Sequence, residues 1–310
     1  MSFWHRGIFY SVFNLIFIFS IIFKPLPVSA ASDSQIKYSN IGCQAVLSLF
    51  TRVIEGKVKT KKDVLEALIG GGISGYGFYE AKRSAGNGHL FFGVLLANLS
   101  ASIAENVAHG DGPLDYVGYT IGPFRIHAAT PFLFAPPARF DIELSGTQTV
   151  TFISTMLAYK NPVFRYGMIV FEEDGKFGDY PGITEGCFPA IRKGAYPYVW
   201  RHEFIHAFQS LQIDAVEPIL LDLRGDAKKS LLKIRLGNAD KDLMNTRLIR
   251  FRGIRNGALS TLNTAWQKRV NYLDRWVEIE AYHLTKINWL SPQTAISDVQ
   301  NENPLVFHTY

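Results

Sequence analysis

The sequence predicts an α+β protein that is helix-rich at both ends, with an antiparallel or mixed sheet in the middle. Apolar residues recur at helical spacing over residues 39–54 and again over residues 264–289. Between them, residues 111–172 contain short segments rich in Phe, Tyr, Val, Ile and Thr, separated by Gly-Pro and Pro-Pro pairs. That alternation is typical of strands and turns. The chain has 310 residues, which is enough to bury a full hydrophobic core.

Residues 1–30 have the pattern of a secretory signal peptide. His5 and Arg6 precede an uncharged segment at 7–23 that is rich in Phe and Ile, and residues 28–30 are small enough for a cleavage site. The uncharged segment is long for a cleaved signal and short for a membrane-spanning helix, so cleavage and retention as an anchor both stay open. Either outcome predicts an extracytoplasmic protein, periplasmic or secreted, that is anchored to a membrane if the segment is kept.

Residues 31–110 are predicted to form a glycine-rich helical region. The helix at 39–54 is followed by two weakly polar runs, at 64–79 and 90–104, and the first of these contains five glycines. These runs could be two membrane-inserting helices packed through glycine, or two buried helices in close contact within a soluble core. The buried pair is preferred, because neither run reaches the length needed to cross a bilayer.

The middle of the chain is predicted to alternate between strands and loops. Strands are expected at 116–121, 139–144, 148–154 and 165–171. A loop rich in Gly and Pro is expected at 175–198, leading into the next helix. Pro197 suits the first turn of that helix, where its missing N–H costs nothing.

Charge and cysteine content limit the partners that we expect. The formal net charge of +5 does not by itself indicate nucleic acid, and none is predicted as a partner. A basic segment at 228–255 could contact anionic lipid headgroups or an acidic substrate, although a solvated helical face is the more common origin of such a run. Cys43 and Cys187 could form one disulfide in an exported protein.

Residues 202–206 read His-Glu-Phe-Ile-His, the H-E-x-x-H pattern of a zinc-binding helix. On a helix, His202 and His206 lie on one face, one turn apart, and both can reach one Zn²⁺ at about 2.0–2.1 Å. Glu203 can stand beside the metal and take a proton from its bound water. A pair of core histidines without metal is the alternative. It would leave buried polar groups unpaired, which is costly.

A zinc site of this kind needs a third protein ligand and one open position. The pattern H-E-x-x-H-x-x-G-x-x-H is excluded, because Gln209 and Gln212 occupy the positions of its glycine and third histidine. The helix at 264–289 offers Glu278 and Glu280 instead. Periodicity places Glu280 within the apolar stripe, where a carboxylate needs a partner such as zinc. Both could also be ordinary surface carboxylates.

The two helices together resemble those of the gluzincin group of zinc metallopeptidases. In that group H-E-x-x-H is followed by a helix of the form E-x-x-A. Residues 278–282, Glu-Ile-Glu-Ala-Tyr, are similar to the E-x-x-A-D helix of the membrane-associated peptidases that process prenylated proteins and of related bacterial heat-shock proteases. The resemblance implies a zincin-like fold with Glu278 as the zinc ligand. Glu280 would then orient an imidazole N–H, or be the alternative ligand. Tyr282 departs from the pattern, since it occupies the position of a supporting Asp.

These features predict that residues 111–310 form an exported zinc metallopeptidase with Glu203 as general base and a peptide or protein as substrate. In zincins the edge strand of a sheet beside the zinc helix pairs with an extended substrate, and the resemblance implies such a strand here. The alternative is a non-catalytic envelope-associated protein that binds a membrane or a partner and holds a structural or vestigial zinc site. Hydrolysis of a non-peptide amide would need the same water chemistry.

Overall fold

The computed structural model of the chain describes residues 32–129, 140–174, 181–216, 219–222, 230–236, 239–252 and 276–286. Several sequence predictions fall partly or wholly outside these residues. They are the signal segment at 1–30, the first residue of the strand at 139–144, the start of the loop at 175–198, parts of the basic segment at 228–255, and most of the helix at 264–289.

Helices and strands follow one another in both halves of the described chain. The helices are α1 (Asp33–Ile54), α2 (Lys61–Gly86), α3 (Leu90–Ala108), α4 (Gly146–Tyr159), α5 (Pro197–Asp214) and α6 (Trp276–Thr285). The strands are β1 (Tyr116–Ile121), β2 (Phe124–Ala129), β3 (Phe140–Ser145), β4 (Pro162–Arg165), β5 (Met168–Glu173), β6 (Gly182–Glu185), β7 (Phe188–Arg192), β8 (Ile219–Asp222), β9 (Ser230–Leu236) and β10 (Ala239–Arg252).

Helices α1, α2 and α3 pack side by side, and glycines let α2 approach both neighbours closely. A Cβ atom at Gly71 would lie 2.8 Å from the carbonyl oxygen of Gln44 in α1. A Cβ atom at Gly77 would collide with the Ser100 side chain of α3. The close contact predicted between the two helices is therefore present, and it extends to α1 as a third member.

The solvent-exposed side of helices α2 and α3 is largely apolar. Among the described helices, α3 is long and apolar enough to cross a membrane, but 67% of that stretch is buried in the protein. Exposed apolar side chains on α2 and α3 form what we call the outer apolar face: Leu65, Ile69, Ile73, Tyr76, Leu95 and Leu99. Membrane-surface association of this face stays a prediction.

The larger sheet is mixed, with the strand order β1-β2-β3-β10-β8 and with β9 paired to β10. Strands β1, β2 and β3 are antiparallel neighbours, whereas β3 and β10 run parallel. The expectation of a solvated helical face at 228–255 is wrong for its described residues, which form β9 and β10. Apolar and basic residues alternate from Leu232 to Leu236, and that period of two favours a strand.

The smaller sheet has the strand order β4-β5-β7-β6 and lies beside α5. The strand expected at 165–171 is instead a hairpin, in which β4 and β5 are joined by a turn at Tyr166 and Gly167, both with positive φ. The expected loop at 175–198 contains a second hairpin, β6–β7, so that prediction is wrong for residues 182–192. Gly186, with φ 58°, forms its turn.

Helix α4 replaces the strand expected at 148–154. Ser145 caps the helix by accepting a hydrogen bond from the Gln148 backbone N–H. Phe152 and Tyr159 lie two turns apart on one face and pack against Phe171 and the other members of a small apolar cluster. This tertiary packing outweighs the preference of the Thr, Val and Ile residues for strands.

The main core joins the N-terminal helices to the rest of the protein. It draws buried side chains from α1, α2, α3, β5, β7, α5 and α6. Helix α5 begins at Pro197, as predicted. Cys43 and Cys187 are both free, so the disulfide does not form. Cys187 is buried in the β6–β7 turn, where Gln148 Nε2 donates to its Sγ.

Candidate metal centre

Helix α5 places His202 and His206 on one face, with their Nε2 atoms 3.0 Å apart. Phe204 and Phe208 on other faces of the helix are buried in the main core. These apolar side chains fix the helix, and the two imidazoles project towards α6 with side chains only 12% and 16% exposed. The four-residue spacing of His202 and His206 on α5 therefore accounts for the two histidines of the site.

Helix α6 brings Glu278 to the two histidines. Its Oε2 lies 3.3 Å from Nε2 of His202 and 3.4 Å from Nε2 of His206. A tetrahedral Zn²⁺ with ligands at 2.0–2.1 Å would separate its ligand atoms by about 3.3 Å. Histidines and carboxylate thus converge at a spacing that suits the metal.

The hydrogen bonding of Glu278 also fits a cation. Its Oε2 is buried and forms no well-aligned hydrogen bond within the part of the chain that the structure describes. A buried carboxylate oxygen in that state is costly unless a positive charge lies beside it. Glu278, His202 and His206 together offer three electron-pair donors around one point.

The charges of the metal-free site also favour a bound cation. Burial disfavours the charged form of His206, but the adjacent carboxylate of Glu278 outweighs that effect and raises the pKa of His206 to about 9. Burial likewise opposes ionisation of Glu278, yet the two imidazoles hold its pKa well below its usual range. Glu278 therefore keeps its negative charge, which a divalent cation would neutralise.

Glu203 is buried beside the edge strand β6. The hydroxyl of Thr184 donates to Glu203 Oε2 at 2.7 Å and also lies 3.0 Å from the backbone carbonyl oxygen of Glu203. Gly182, two residues earlier in β6, has its α-carbon against the same side chain, since a Cβ there would lie 3.0 Å from Glu203 Cγ. One strand therefore holds the predicted base, and neither Thr184 nor Gly182 stood out in the sequence.

Glu280 does not join His202 and His206. Its carboxylate binds Lys82 of α2 at 3.0 Å and accepts hydrogen bonds from Asn40 and Gln209. The periodicity argument correctly predicted a buried carboxylate in need of a partner. That partner is an ammonium group from the N-terminal helices, a contact that one helix pattern cannot reveal.

Tyr282 occupies the position of the Asp in the E-x-x-A-D pattern. Its ring packs against the imidazole of His202, with 4.7 Å between the ring centroids. The Nδ1 atom of His202 is buried and has no hydrogen-bond partner among the described residues. Among the described residues, His202 is therefore supported by ring packing and not by a hydrogen bond to Nδ1.

A second group of ligand-type side chains lies between α3 and the larger sheet. Glu105, His127 and Glu143 approach within 4.8 Å of one another and are buried. Arg125 Nε lies 2.9 Å from Glu105, and His127 Nε2 lies 3.2 Å from Glu143. The ion pair of Arg125 with Glu105 and the hydrogen bond between His127 and Glu143 account for the cluster without a metal.

No protein-family model matches the chain, and no curated protein or solved structure is significantly similar to it. The likeness to gluzincins therefore rests on residues 202–206 and 278–282, and the zincin-like architecture stays a prediction.

Proposed function

We propose that this protein is a zinc-dependent metallopeptidase. The observation that carries the proposal is the convergence of His202 Nε2, His206 Nε2 and Glu278 Oε2 within 3.0–3.4 Å of one another. Zn²⁺ bound by these atoms would polarise a scissile carbonyl and acidify a water molecule, which is the chemistry that such a metal supplies.

Glu203 is the general base in this proposal. Its carboxylate is close enough to His206 to help raise the pKa of that imidazole, and it is not one of the three converging ligand atoms. Thr184 limits its movement through a 2.7 Å hydrogen bond. A buried, held carboxylate can take a proton from the attacking water and pass it to the leaving amine.

Strand β6 supports a peptide as the substrate. One edge of β6 pairs with β7, and no other described strand pairs with its opposite edge. Gly182 and Thr184 contact Glu203 from this strand, so an extended peptide added to its open edge would lie alongside the general base. Main-chain hydrogen bonds would supply affinity with little demand on the peptide sequence.

The test compares wild type with Glu203→Gln on a mixture of unstructured peptides, with zinc content measured on both proteins. We expect about one zinc per chain in each and a loss of turnover of roughly 10²–10⁴-fold in the variant. Glu172→Gln is the matched control, since Glu172 is an ion-paired glutamate of β5 outside the centre. Wild-type turnover by Glu203→Gln, or a wild-type protein that binds zinc and cleaves nothing, contradicts the proposal. The latter result favours a non-catalytic protein with a structural site.

An extracytoplasmic location is also proposed. The uncharged segment at 7–23 and the small residues at 28–30 support it. N-terminal sequencing of protein recovered outside the cytoplasm is expected to begin at Ala31 if the signal is cleaved. An intact N-terminus in the membrane fraction would indicate an anchor, and an intact soluble cytoplasmic chain would contradict the location.

A further inference from the structure

We propose that Gln209 is a positioning residue for His206, and that Glu280 sets the direction in which the Gln209 amide points. The inference rests on the proposed zinc site, since its effect is expressed through His206. The inference assigns a role to the buried network of hydrogen bonds that connects α2, α5 and α6.

The orientation of the Gln209 amide follows from its partners. Its Nε2 donates to Glu280 Oε2 at 2.8 Å and to the Val277 carbonyl oxygen at 3.0 Å. A carboxylate and a backbone carbonyl only accept hydrogen bonds, so the NH₂ group must face them. The amide oxygen is therefore left to face His206.

The tautomer of His206 follows from that orientation. Gln209 Oε1 lies 2.8 Å from His206 Nδ1, and an amide oxygen can only accept. The proton of neutral His206 therefore stays on Nδ1, which leaves the Nε2 lone pair directed at His202 and Glu278. This is the tautomer that binds a metal through Nε2.

Glu280 is itself held from the N-terminal helices. Lys82 Nζ contacts both carboxylate oxygens of Glu280 at 3.0 and 3.1 Å, and Asn40 Nδ2 donates to Oε1 at 2.6 Å. Lys82 also donates to Asn40 and Gln212. Each of the three N–H bonds of the Lys82 ammonium group therefore has an acceptor. The Glu280 carboxylate, held by Lys82 and Asn40, has little freedom to turn away from Gln209.

The zinc affinity of three variants tests the proposal, measured by chelator competition on protein shown to be folded. Gln209→Met keeps the length of the side chain and removes the acceptor, and we expect zinc affinity about 10–100-fold weaker. The paired swap Gln209→Glu with Glu280→Gln keeps the charge and again offers an oxygen acceptor to Nδ1, and it gives up only the hydrogen bond that Gln209 donates to the Val277 carbonyl oxygen. We expect it to bind zinc within about threefold of wild type.

Gln44→Met is the matched control for loss of a buried glutamine that packs on α5, because among the described residues the Gln44 side chain donates to the Gln212 backbone carbonyl and forms no hydrogen bond with His206. Its zinc affinity is expected to match wild type. Gln209→Met with undiminished zinc affinity, or a paired swap that binds zinc no better than Gln209→Met, overturns the proposal.

A second readout is independent of catalysis and of metal. Histidine ¹⁵N spectra of the metal-free protein, recorded above the pKa of His206, report which ring nitrogen carries the proton. Wild type and the paired swap are expected to show Nδ1–H, and Gln209→Met a mixture of tautomers. Mixed tautomers in wild type overturn the inference, whereas a protein that shows Nδ1–H but binds no zinc overturns the proposed function alone.

Discussion

Lys82 Nζ lies 3.0 Å from Glu280 Oε2, and the two side chains are only 1% and 2% exposed. The pair joins α2 to α6, so the second helix of the N-terminal layer directly supports the helix that carries Glu278. A buried pair of this kind contributes little net stability, yet removing one partner is expensive because the other charge stays buried.

Lys82→Met is therefore expected to lower the free energy of unfolding by about 3–5 kcal/mol. The double variant Lys82→Met with Glu280→Gln removes both charges and should recover much of that loss. Chemical denaturation of the metal-free proteins measures both values. A double variant that is less stable than Lys82→Met would mean that the pair is not the source of the loss.

The metal-free protein should lose stability as pH rises through the pKa of His206. Glu278 raises that pKa from 6.5 to about 9, so the folded state gains stability below about 6.5 and loses it as pH passes 9. The loss is on the order of 3 kcal/mol. Glu278 has a depressed pKa, so its contribution is lost instead as pH falls below its ordinary value of 4.5.

Denaturation midpoints at about pH 6 and pH 10 check this dependence, with the His206→Gln protein as the control. The variant lacks the titrating group and should show a much smaller difference between the two conditions. Zinc should also bind more tightly as pH rises towards 9, because the proton on His206 competes with the metal. An affinity that is flat between pH 6 and 9 would contradict this explanation.

How far the sequence predicts the site depends on the range of the interactions involved. His202, Glu203 and His206 belong to one helix, where spacing alone determines which side chains share a face. Glu278 was favoured over Glu280 by resemblance, whereas periodicity favoured Glu280. In the structure Glu278 lies beside the two histidines, whereas the partner of Glu280 is Lys82, almost two hundred residues away in the chain.

One of the two main errors in the fold has the same origin. Helix α4 was predicted as a strand from its Thr, Val and Ile residues, but Phe152 and Tyr159 pack on the smaller sheet, and that contact is non-local. Strand β6 was hidden in a stretch rich in Gly and Pro, where local propensity indicates a loop. Its pairing with β7 across the two-residue turn at Gly186 and Cys187 makes it a strand, and the surrounding Gly and Pro residues obscure that local hairpin pattern.

Gly182 is expected to be essential for the placement of Glu203. In Gly182→Ala the new Cβ would lie 2.9 Å from Val199 Cγ1 and 3.0 Å from Glu203 Cγ, so the glutamate side chain must move. A displacement of about 1 Å can cost up to 10²-fold in rate, and we expect kcat to fall at least about tenfold with unchanged zinc content. Gly72→Ala is the control, because the one described residue that its Cβ would meet is Ile41, at 3.6 Å. Equal kcat in the two variants would show that β6 does not constrain the base.

Thr184 is expected to act on kcat through the same glutamate. Thr184→Val keeps the shape of the side chain and removes the hydroxyl that donates to Glu203 Oε2 at 2.7 Å. Loss of one hydrogen bond to a charged group is worth about 1.5–3 kcal/mol, which corresponds to a fall in kcat of roughly ten- to a hundredfold if the bond is needed in the transition state. KM should change little, because Thr184 holds the base and not the substrate.

Thr184→Ser restores a hydroxyl and should recover most of the activity. A Thr184→Val enzyme with full kcat, or a Thr184→Ser enzyme as impaired as Thr184→Val, would separate Thr184 from the positioning of Glu203.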